Sequence, residues 1–538
     1  MSRLFLLVIA LSLFLSFFRL GSVTLFDVDE AVFATATKEM VQSGDWITPT
    51  YNGRNRYDKP ILFYWLMAVP YRVLGISEFS SRFPSALASS VLVLSVFLFV
   101  RRFRDEETAL AASLSFTLSL YFLVYSHAAV TDMVLTLFIT LSLISFYLSV
   151  TEEKGRDRYL SGFYLFSGLA FLTKGLIGIL FPFAISMIYL LATEGTKGIG
   201  KVFSVKGVIL FLVVSAPWYI AQYSVNGDDF IQQFFIKHHF KRYTGVISGH
   251  RGPFYYYIPV LIIGFFPWVA FLPAGIKNAL QDLRRLKTEG EGSSPIRRHS
   301  LLVFALLWAA FVMVFFSLAT TKLPNYILPS IPAVAILVSS GLSSAGVLAE
   351  TRMRYHAGIF IVVTSLLLAV GLLVSRTYLT EIGIHGLDWT FSAALILFAL
   401  AVTSFYAFVS RKTSYYSVAA IVVCFLLSLS FGAIPVASNY VQGTLYRYSL
   451  QAKQRLQDGG RLIAYGMNNP SIVFYSGHKV IGAGSRDEVV PLVEENVNVV
   501  AISRMKDVEM LKELGFQVLE EDGRYALLER RVHLSGKI

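Results

Sequence analysis

The sequence predicts a polytopic α-helical membrane protein of about thirteen spans, with interfacial helices in its first outer loop and a small C-terminal α/β domain. Three observations predict it. Of the 538 residues 55% are hydrophobic and only 15% charged, against roughly 25% charged in a soluble domain. Apolar runs near the ~20 residues that cross a bilayer recur along the chain. Lys and Arg gather on alternate loops, as the charge rule for membrane topology requires.

The apolar runs fall at 4–20, 82–100, 108–126, 133–150, 159–173, 175–193, 207–224, 255–276, 300–319, 326–348, 357–375, 390–410 and 416–434. Each must be helical, because lipid offers no partner to an open backbone. The first is flanked by Arg3 and Arg19 with no small-x-small cleavage site after it, so it reads as a retained signal-anchor. With Met1 in the cytoplasm, the inside loops carry Arg101, Arg102 and Arg104, then Lys154, Arg156 and Arg158, then Lys197, Lys201 and Lys206. Later inside loops carry Arg284, Arg285, Lys287, Arg297 and Arg298, then Arg352 and Arg354, then Arg411 and Lys412. The tail then lies outside.

The long outside segments are 21–81, 225–254 and about 435–538. In the first, Phe33, Ala36, Thr37, Met40 and Val41 share one helical face until Gly44-Asp45. Ile61–Leu74 is apolar but short for a span and opens with Pro60. Both read as interfacial helices; counting the second as a span would turn every basic loop outward. The division is a transmembrane domain over 1–434, including the outer loop 21–81, and a tail domain over 435–538. In the tail, 461–466 and 497–503 read as strands, 470–476 and 506–514 as helical, and 517–521 with 525–530 as a hairpin about Asp522-Gly523. Gly482-Ala483-Gly484 has phosphate-loop composition without the strand–loop–helix fingerprint and is assigned no site.

The net charge of +12 is explained by loops beside spans, with no aromatic-basic platform for nucleic acid. The lone Cys424 lies in an apolar run, can form no intrachain disulfide, and is expected to be buried. Trp218 and Trp268 read as interface anchors; Tyr255, Tyr256 and Tyr257 read as an aromatic belt or as the lining of a groove.

Several cations break the charge rule by lying outside: Lys59, Lys174, Lys237, Lys241, Arg242, Arg251 and Lys322. Ion pairing or headgroup contact is one explanation. An anionic substrate is the other, since Lys and Arg are natural phosphate ligands. Acids also cluster there: Asp27, Asp29 and Glu30 follow the first span, and Asp132 heads the run after His127-Ala-Ala-Val-Thr131. Asp132 or Thr131 can serve merely as a helix cap, whereas a carboxylate at membrane depth is a functional candidate.

These residues carry a resemblance. Asp29-Glu30-Ala31-Val32-Phe33-Ala34, Gly44-Asp45-Trp46, Asn52-Gly53, Lys59-Pro60 and Tyr64-Trp65 resemble the first outer loop of bacterial polyprenyl-phosphate-sugar glycosyltransferases of the GT-C fold. That group comprises the aminoarabinose lipid A transferases and the protein mannosyltransferase superfamily. The likeness continues in Arg82-Phe83-Pro84-Ser85, Thr131-Asp132, Leu172-Thr173-Lys174-Gly175, His238-His239-Phe240-Lys241-Arg242, Gly249-His250-Arg251-Gly252-Pro253 and Thr321-Lys322-Leu323-Pro324-Asn325-Tyr326. It covers most of residues 1–340.

The resemblance implies a glycosyltransferase of the bacterial inner membrane with its active site and tail domain in the periplasm. Its donor would be a sugar on undecaprenyl phosphate, and its acceptor lipid A or lipopolysaccharide, receiving aminoarabinose or a hexose. Asp29, Glu30 and Asp132 are the implied catalytic acids. Lys59, Lys174, Arg242, Lys322 and Tyr326 are the implied donor-phosphate set; His238, His239, Lys241 and Arg251 are further substrate candidates. The family's Glu-Lys-Pro reads Asp58-Lys59-Pro60 here. Some relatives bind a divalent metal; no matching ligand set is found, so the cofactor stays unknown. The residues fit the chemistry: cations around a departing lipid phosphate act most strongly in the transition state, while a carboxylate serves as base or orients the sugar. Direct displacement with inversion is expected. A protein O-mannosyltransferase-like enzyme and a lipid or glycan transporter are the alternatives; transporters usually carry internal repeats and midplane charges, whereas this sequence shows no clear repeat and gathers its charge at outer span ends.

Overall fold

The computed structural model describes residues 2–152, 154–234, 252–288, 300–342, 351–410, 415–494 and 497–531. It divides into two compact units: residues 1–20, 57–66 and 82–433, and residues 21–56, 67–81 and 434–538.

The first unit is helical. Among the described residues, nine helices are long and apolar enough to cross a membrane, or up to eleven if two bent pairs each count as one span. The bends lie between α5 (Glu106–Thr117) and α6 (Leu120–Ser126), and between Phe254–Gly264 and Trp268–Leu286. Two expected runs fall outside that set. One is α1 (Arg3–Phe17), which has only 15 residues; the other is α8 (Arg156–Lys174), with Arg156, Asp157, Arg158 and Lys174 at its ends. The chain is an integral membrane protein.

Helices in this unit approach closely through small and polar side chains, as expected where lipid removes any hydrophobic drive between them. Ser16 and Ser89 hydroxyls meet at 2.9 Å, and Ser142 and Ser167 at 2.9 Å. Arg82, 1% exposed, donates to the Leu20 carbonyl at 3.1 Å. Trp268 is not an interface anchor: it is fully buried, and its indole N–H donates to the Leu118 carbonyl at 2.9 Å. Trp218, 5% exposed, packs edge-on to Phe230 and Phe234. Position at a span end cannot separate a belt residue from a clamp across a helix bend, since both want one apolar and one polar neighbour. Cys424, expected to be buried, is exposed on the helix Tyr415–Ser428. In a spanning helix the lipid-facing side is as apolar as the packed side, so an apolar run does not imply burial.

The second unit joins the first outer segment to the tail. Here α2 (Asp29–Ser43) ends at Gly44, and α3 (Leu62–Leu74), whose residues from Met67 belong to this unit, follows a hairpin of β1 (Thr50–Tyr51) and β2 (Arg54–Asn55). Asn52 and Gly53 turn that hairpin with φ of 55° and 71°, which Asn and Gly tolerate best. The tail sheet has strands β3 (Arg461–Tyr465), β4 (Val480–Ala483), β5 (Val499–Arg504), β6 (Gln517–Glu521) and β7 (Tyr525–Arg530), in the order β4-β3-β5-β7-β6. β4, β3 and β5 run parallel; β7 and β6 run antiparallel. Alternate residues feed two cores. Leu462, Ala464, Val500 and Ile502 pack with Tyr448 and Ile472 on one side. Ile463, Tyr465, Val499 and Ala501 pack with Val489 and Leu511 on the other. The Gly482-Ala483-Gly484 segment is edge strand β4 and its end, and the Gly484 N–H donates to the Glu488 carboxylate at 2.6 Å. An acid at that amide is the opposite of a phosphate cradle.

Candidate functional site

Antiparallel packing of α7 (Asp132–Thr151) on α8 brings the first residue of one beside the last residue of the other. Those residues are Asp132 and Lys174, and they form an ion pair at 2.7 Å with side chains 7% and 15% exposed. Each sits where its helix favours its charge, the acid at an N-terminus and the cation at a C-terminus. Gly175, at φ 73°, ends α8, and Gly178 packs so tightly that an added Cβ would lie 2.2 Å from the Ala170 carbonyl carbon. The turn that aims Lys174 therefore needs both glycines. Before Asp132, the Val130 carbonyl accepts from the buried Ser85 hydroxyl at 3.3 Å.

A third element closes the pair. The 3-10 segment Pro324–Ser330 is held by the Trp308 indole N–H on the Pro329 carbonyl at 2.8 Å. It presents Asn325, whose side-chain amide donates to the same Asp132 oxygen at 3.0 Å. It also presents Tyr326, whose ring lies 5.8 Å from the Lys174 ammonium and packs on Phe316 at 4.9 Å. Asp132 thus accepts from both Lys174 and Asn325 through Oδ1, and the lysine lies near an aromatic face. The structure brings together Asp132, Lys174 and Tyr326. Asn325 was assigned no role from the sequence; an amide beside a candidate tyrosine was the available signal.

Lys322 is 4% exposed, and its ammonium donates to the carbonyls of Phe316, Ser317 and Ala319 at 3.2, 2.9 and 2.6 Å. It closes the C-terminal end of the helix Leu301–Leu318 and lies 5.8 Å from the Tyr257 ring. To bind phosphate it would exchange carbonyl oxygens for phosphate oxygens. Tyr257 is fully buried whereas Tyr255 is 62% exposed, so the three consecutive tyrosines divide between core and surface. Lys59 is partly exposed in the turn before α3. His238, His239, Lys241, Arg242 and Arg251 lie outside the described residues.

In the second unit, Asp29 is the exposed first residue of α2. Glu30 is 5% exposed and accepts the Phe26 N–H at 2.9 Å, which closes the turn into the helix. Glu39 accepts from the Thr50 hydroxyl at 2.6 Å and from the backbone N–H of Asn52 and Gly53 at 2.7 and 3.2 Å. The Asn52 side chain bonds the N–H and carbonyl of Val480 at 2.9 and 2.7 Å, pairing with β4 as a strand would. Tyr51 has its hydroxyl pKa pushed up to about 12, first by burial and then by the charge of Asp27. Burial, then Lys453, lowers the pKa of Lys38. Among the described residues, no group of three or more His, Cys, Asp or Glu side chains is arranged to hold a metal ion.

Residues 58–220 match the family described as dolichyl-phosphate-mannose-protein mannosyltransferase. An uncharacterised protein of Aquifex aeolicus is 32% identical over 345 residues, covering 64% of this chain and 65% of that protein. The undecaprenyl phosphate-alpha-4-amino-4-deoxy-L-arabinose arabinosyl transferase 1 of Pseudomonas fluorescens is 30% identical over 342 residues, covering 63% of this chain and 59% of that protein. The chain thus matches less than two thirds of the length of these relatives. In fold, the crystal structure of ArnT from Cupriavidus metallidurans bound to undecaprenyl phosphate superposes with a TM-score of 0.80 over 99% of both chains, at 24% identity.

Proposed function

We propose that this chain, a member of the GT-C glycosyltransferases of the aminoarabinose transferase type, moves a sugar from undecaprenyl phosphate to lipid A on the periplasmic side of the bacterial inner membrane. One observation carries the proposal: a lysine paired at a span end with a buried carboxylate, which also accepts from a side-chain amide, and lying beside a tyrosine ring. Support comes also from the names of the relatives and from the lipid phosphate bound by the similar ArnT structure.

In this reading Lys174 meets the donor phosphate, and Asp132, itself braced by Asn325, holds the lysine in place. As the bond from the anomeric carbon to the phosphate oxygen lengthens, negative charge grows on the leaving lipid phosphate. A prepositioned ammonium stabilises that charge more than it stabilises the bound donor. Tyr326 flanks the ammonium, and Lys59 and Arg242 are the further cations that the family resemblance assigns to the donor phosphate. Lys322 enters as the residue that holds the end of helix Leu301–Leu318. Asp29, exposed at the head of α2, is the carboxylate assigned to the reacting sugar. A phosphate acceptor on lipid A needs no strong base, so Asp29 orients the sugar and stabilises positive charge at the anomeric carbon. The transfer inverts the anomeric configuration. The sugar is aminoarabinose or a hexose.

A second reading, transfer to protein hydroxyls, is favoured by the mannosyltransferase family matched over 58–220. Mass spectrometry of lipid A and of envelope glycoproteins from cells with and without the gene separates the two. A sugar lost from lipid A, and not restored by Asp29→Asn, supports the first reading. A loss confined to glycoproteins replaces it with the second, and no loss in either sinks both.

A further inference from the structure

Two residues before Asp29, the Asp27 carboxylate is held by the tail domain. Its Oδ1 accepts the Ser471 backbone N–H at 2.7 Å; its Oδ2 accepts the Ser471 hydroxyl at 2.7 Å and the Asn469 amide at 2.9 Å. Three donors to one ionised acid make a strong attachment, because charge-assisted hydrogen bonds are roughly twice as strong as neutral ones. The attachment is not isolated. The Leu25 N–H donates to the Tyr475 hydroxyl at 2.8 Å, which itself donates to Glu78 at 3.0 Å. Thr24 and Ser438 hydroxyls meet at 2.9 Å. Residues 24, 25 and 27 are therefore each bonded to a partner more than 400 positions away.

Ser471, which supplies two of the three donors, is set in the core. It is 1% exposed, in the helix Pro470–Ser476, and the neighbouring Ile472 belongs to the sheet's core. Asp29, in contrast, is exposed. An acid with three partners and an exposed acid two residues later divide the work of the loop between anchoring and chemistry.

We infer that the C-terminal domain positions the loop that carries Asp29, through the grip of Ser471 and Asn469 on Asp27. Asp27 and Ser471 are positioning residues; neither meets substrate. The inference rests on the reading of Asp29 given above. A loop fixed before the donor arrives holds its carboxylate in the reactive geometry, and displacement of about 1 Å can cost on the order of a hundredfold in rate.

The test uses the full chain in detergent, with undecaprenyl-phosphate-aminoarabinose as donor and lipid A as acceptor. Ser471→Ala is expected to lower kcat about tenfold to a hundredfold, with the donor KM and the unfolding temperature little changed. Ser471→Thr, which keeps the hydroxyl, restores kcat. Combined with Asp29→Glu, the loss from Ser471→Ala shrinks, because residues that act through one group are not additive. A folded Ser471→Ala protein with normal kcat overturns the inference, as do losses that multiply with Asp29→Glu. If Ser471→Ala does not fold, Asn469→Ala and Asp27→Asn are read by the same criteria. Full activity in Asp29→Asn would instead overturn the catalytic reading, whereas an inactive Asp29→Asn beside unaffected clamp variants overturns the clamp alone.

Discussion

Replacing Lys174 by methionine separates what the ion pair does for folding from what it does for chemistry. Opposite unit charges 2.7 Å apart attract by about 6 kcal/mol at an effective dielectric of ~20, and most of that offsets the desolvation of two side chains 15% and 7% exposed. Removing one partner leaves Asp132 with only Asn325 on its engaged oxygen. Breaking such a pair costs about 3–5 kcal/mol. Lys174→Met is therefore expected to unfold at clearly lower temperature in detergent. The double variant Asp132→Asn/Lys174→Met has no stranded charge and should recover to within about 1–2 kcal/mol of the parent. Turnover should not recover. Loss of a fixed group that stabilises the developing phosphate charge costs about 10²–10³ in kcat, and neutralising Asp132 does not replace it. Thermal unfolding and initial-rate transfer on the same preparations make the comparison. A double variant that regains both stability and turnover would show that Lys174 only holds two helices together.

Other positions give independent checks. Asn325→Leu keeps the volume but removes the amide from Asp132; kcat should fall about tenfold, as for losing one hydrogen bond to a charged group, and unchanged kinetics would remove Asn325 from the site. In the tail hairpin, burial pushes the Asp522 pKa up, but the Thr444 hydroxyl and the N–H groups of Tyr525 and Arg524 outweigh it and leave the pKa below its usual value. Its stabilising contribution is full above the unfolded pKa of ~3.9 and is lost as pH falls through the lower folded value. Asp522→Asn should therefore lower stability at pH 6 and flatten its decline in acid; parallel unfolding curves would contradict that. Cys424, exposed on an apolar helix, should react with a lipid-soluble maleimide and resist a charged one in intact membranes, and the reverse pattern would remove Tyr415–Ser428 from the bilayer.

Local signals made parts of this fold readable. The helix Pro470–Ser476 and both hairpin strands fall where expected, because Pro470 opens the helix, Gly477 closes it at φ 70°, and Asp522-Gly523 turns the hairpin. Strand β4 was not readable: its glycines imitate a loop, and its pairing is supplied partly by Asn52, 428 positions away. The same limit applies at the site. Lys174 stands out as a cation where membrane topology disfavours it, and Asp132 as a carboxylate at membrane depth, but nothing nearby in sequence shows that they pair. Asp27 resembled its neighbours Asp29 and Glu30 until its partners near residue 470 were seen. Trp268 and Cys424 depart from expectation because apolarity along a spanning helix does not reveal which side faces lipid and which faces protein.

Sugar transfer from a lipid phosphate is measured most directly on the purified chain alone. It is mixed with undecaprenyl-phosphate-aminoarabinose and lipid A, and both lipids are followed by mass spectrometry. Lipid A should gain one aminopentose as undecaprenyl phosphate is released in equal amount, with neither change in Asp29→Asn. Unchanged lipid A with this donor and with hexose-bearing donors, from a folded chain that binds undecaprenyl phosphate, would contradict the proposed transfer.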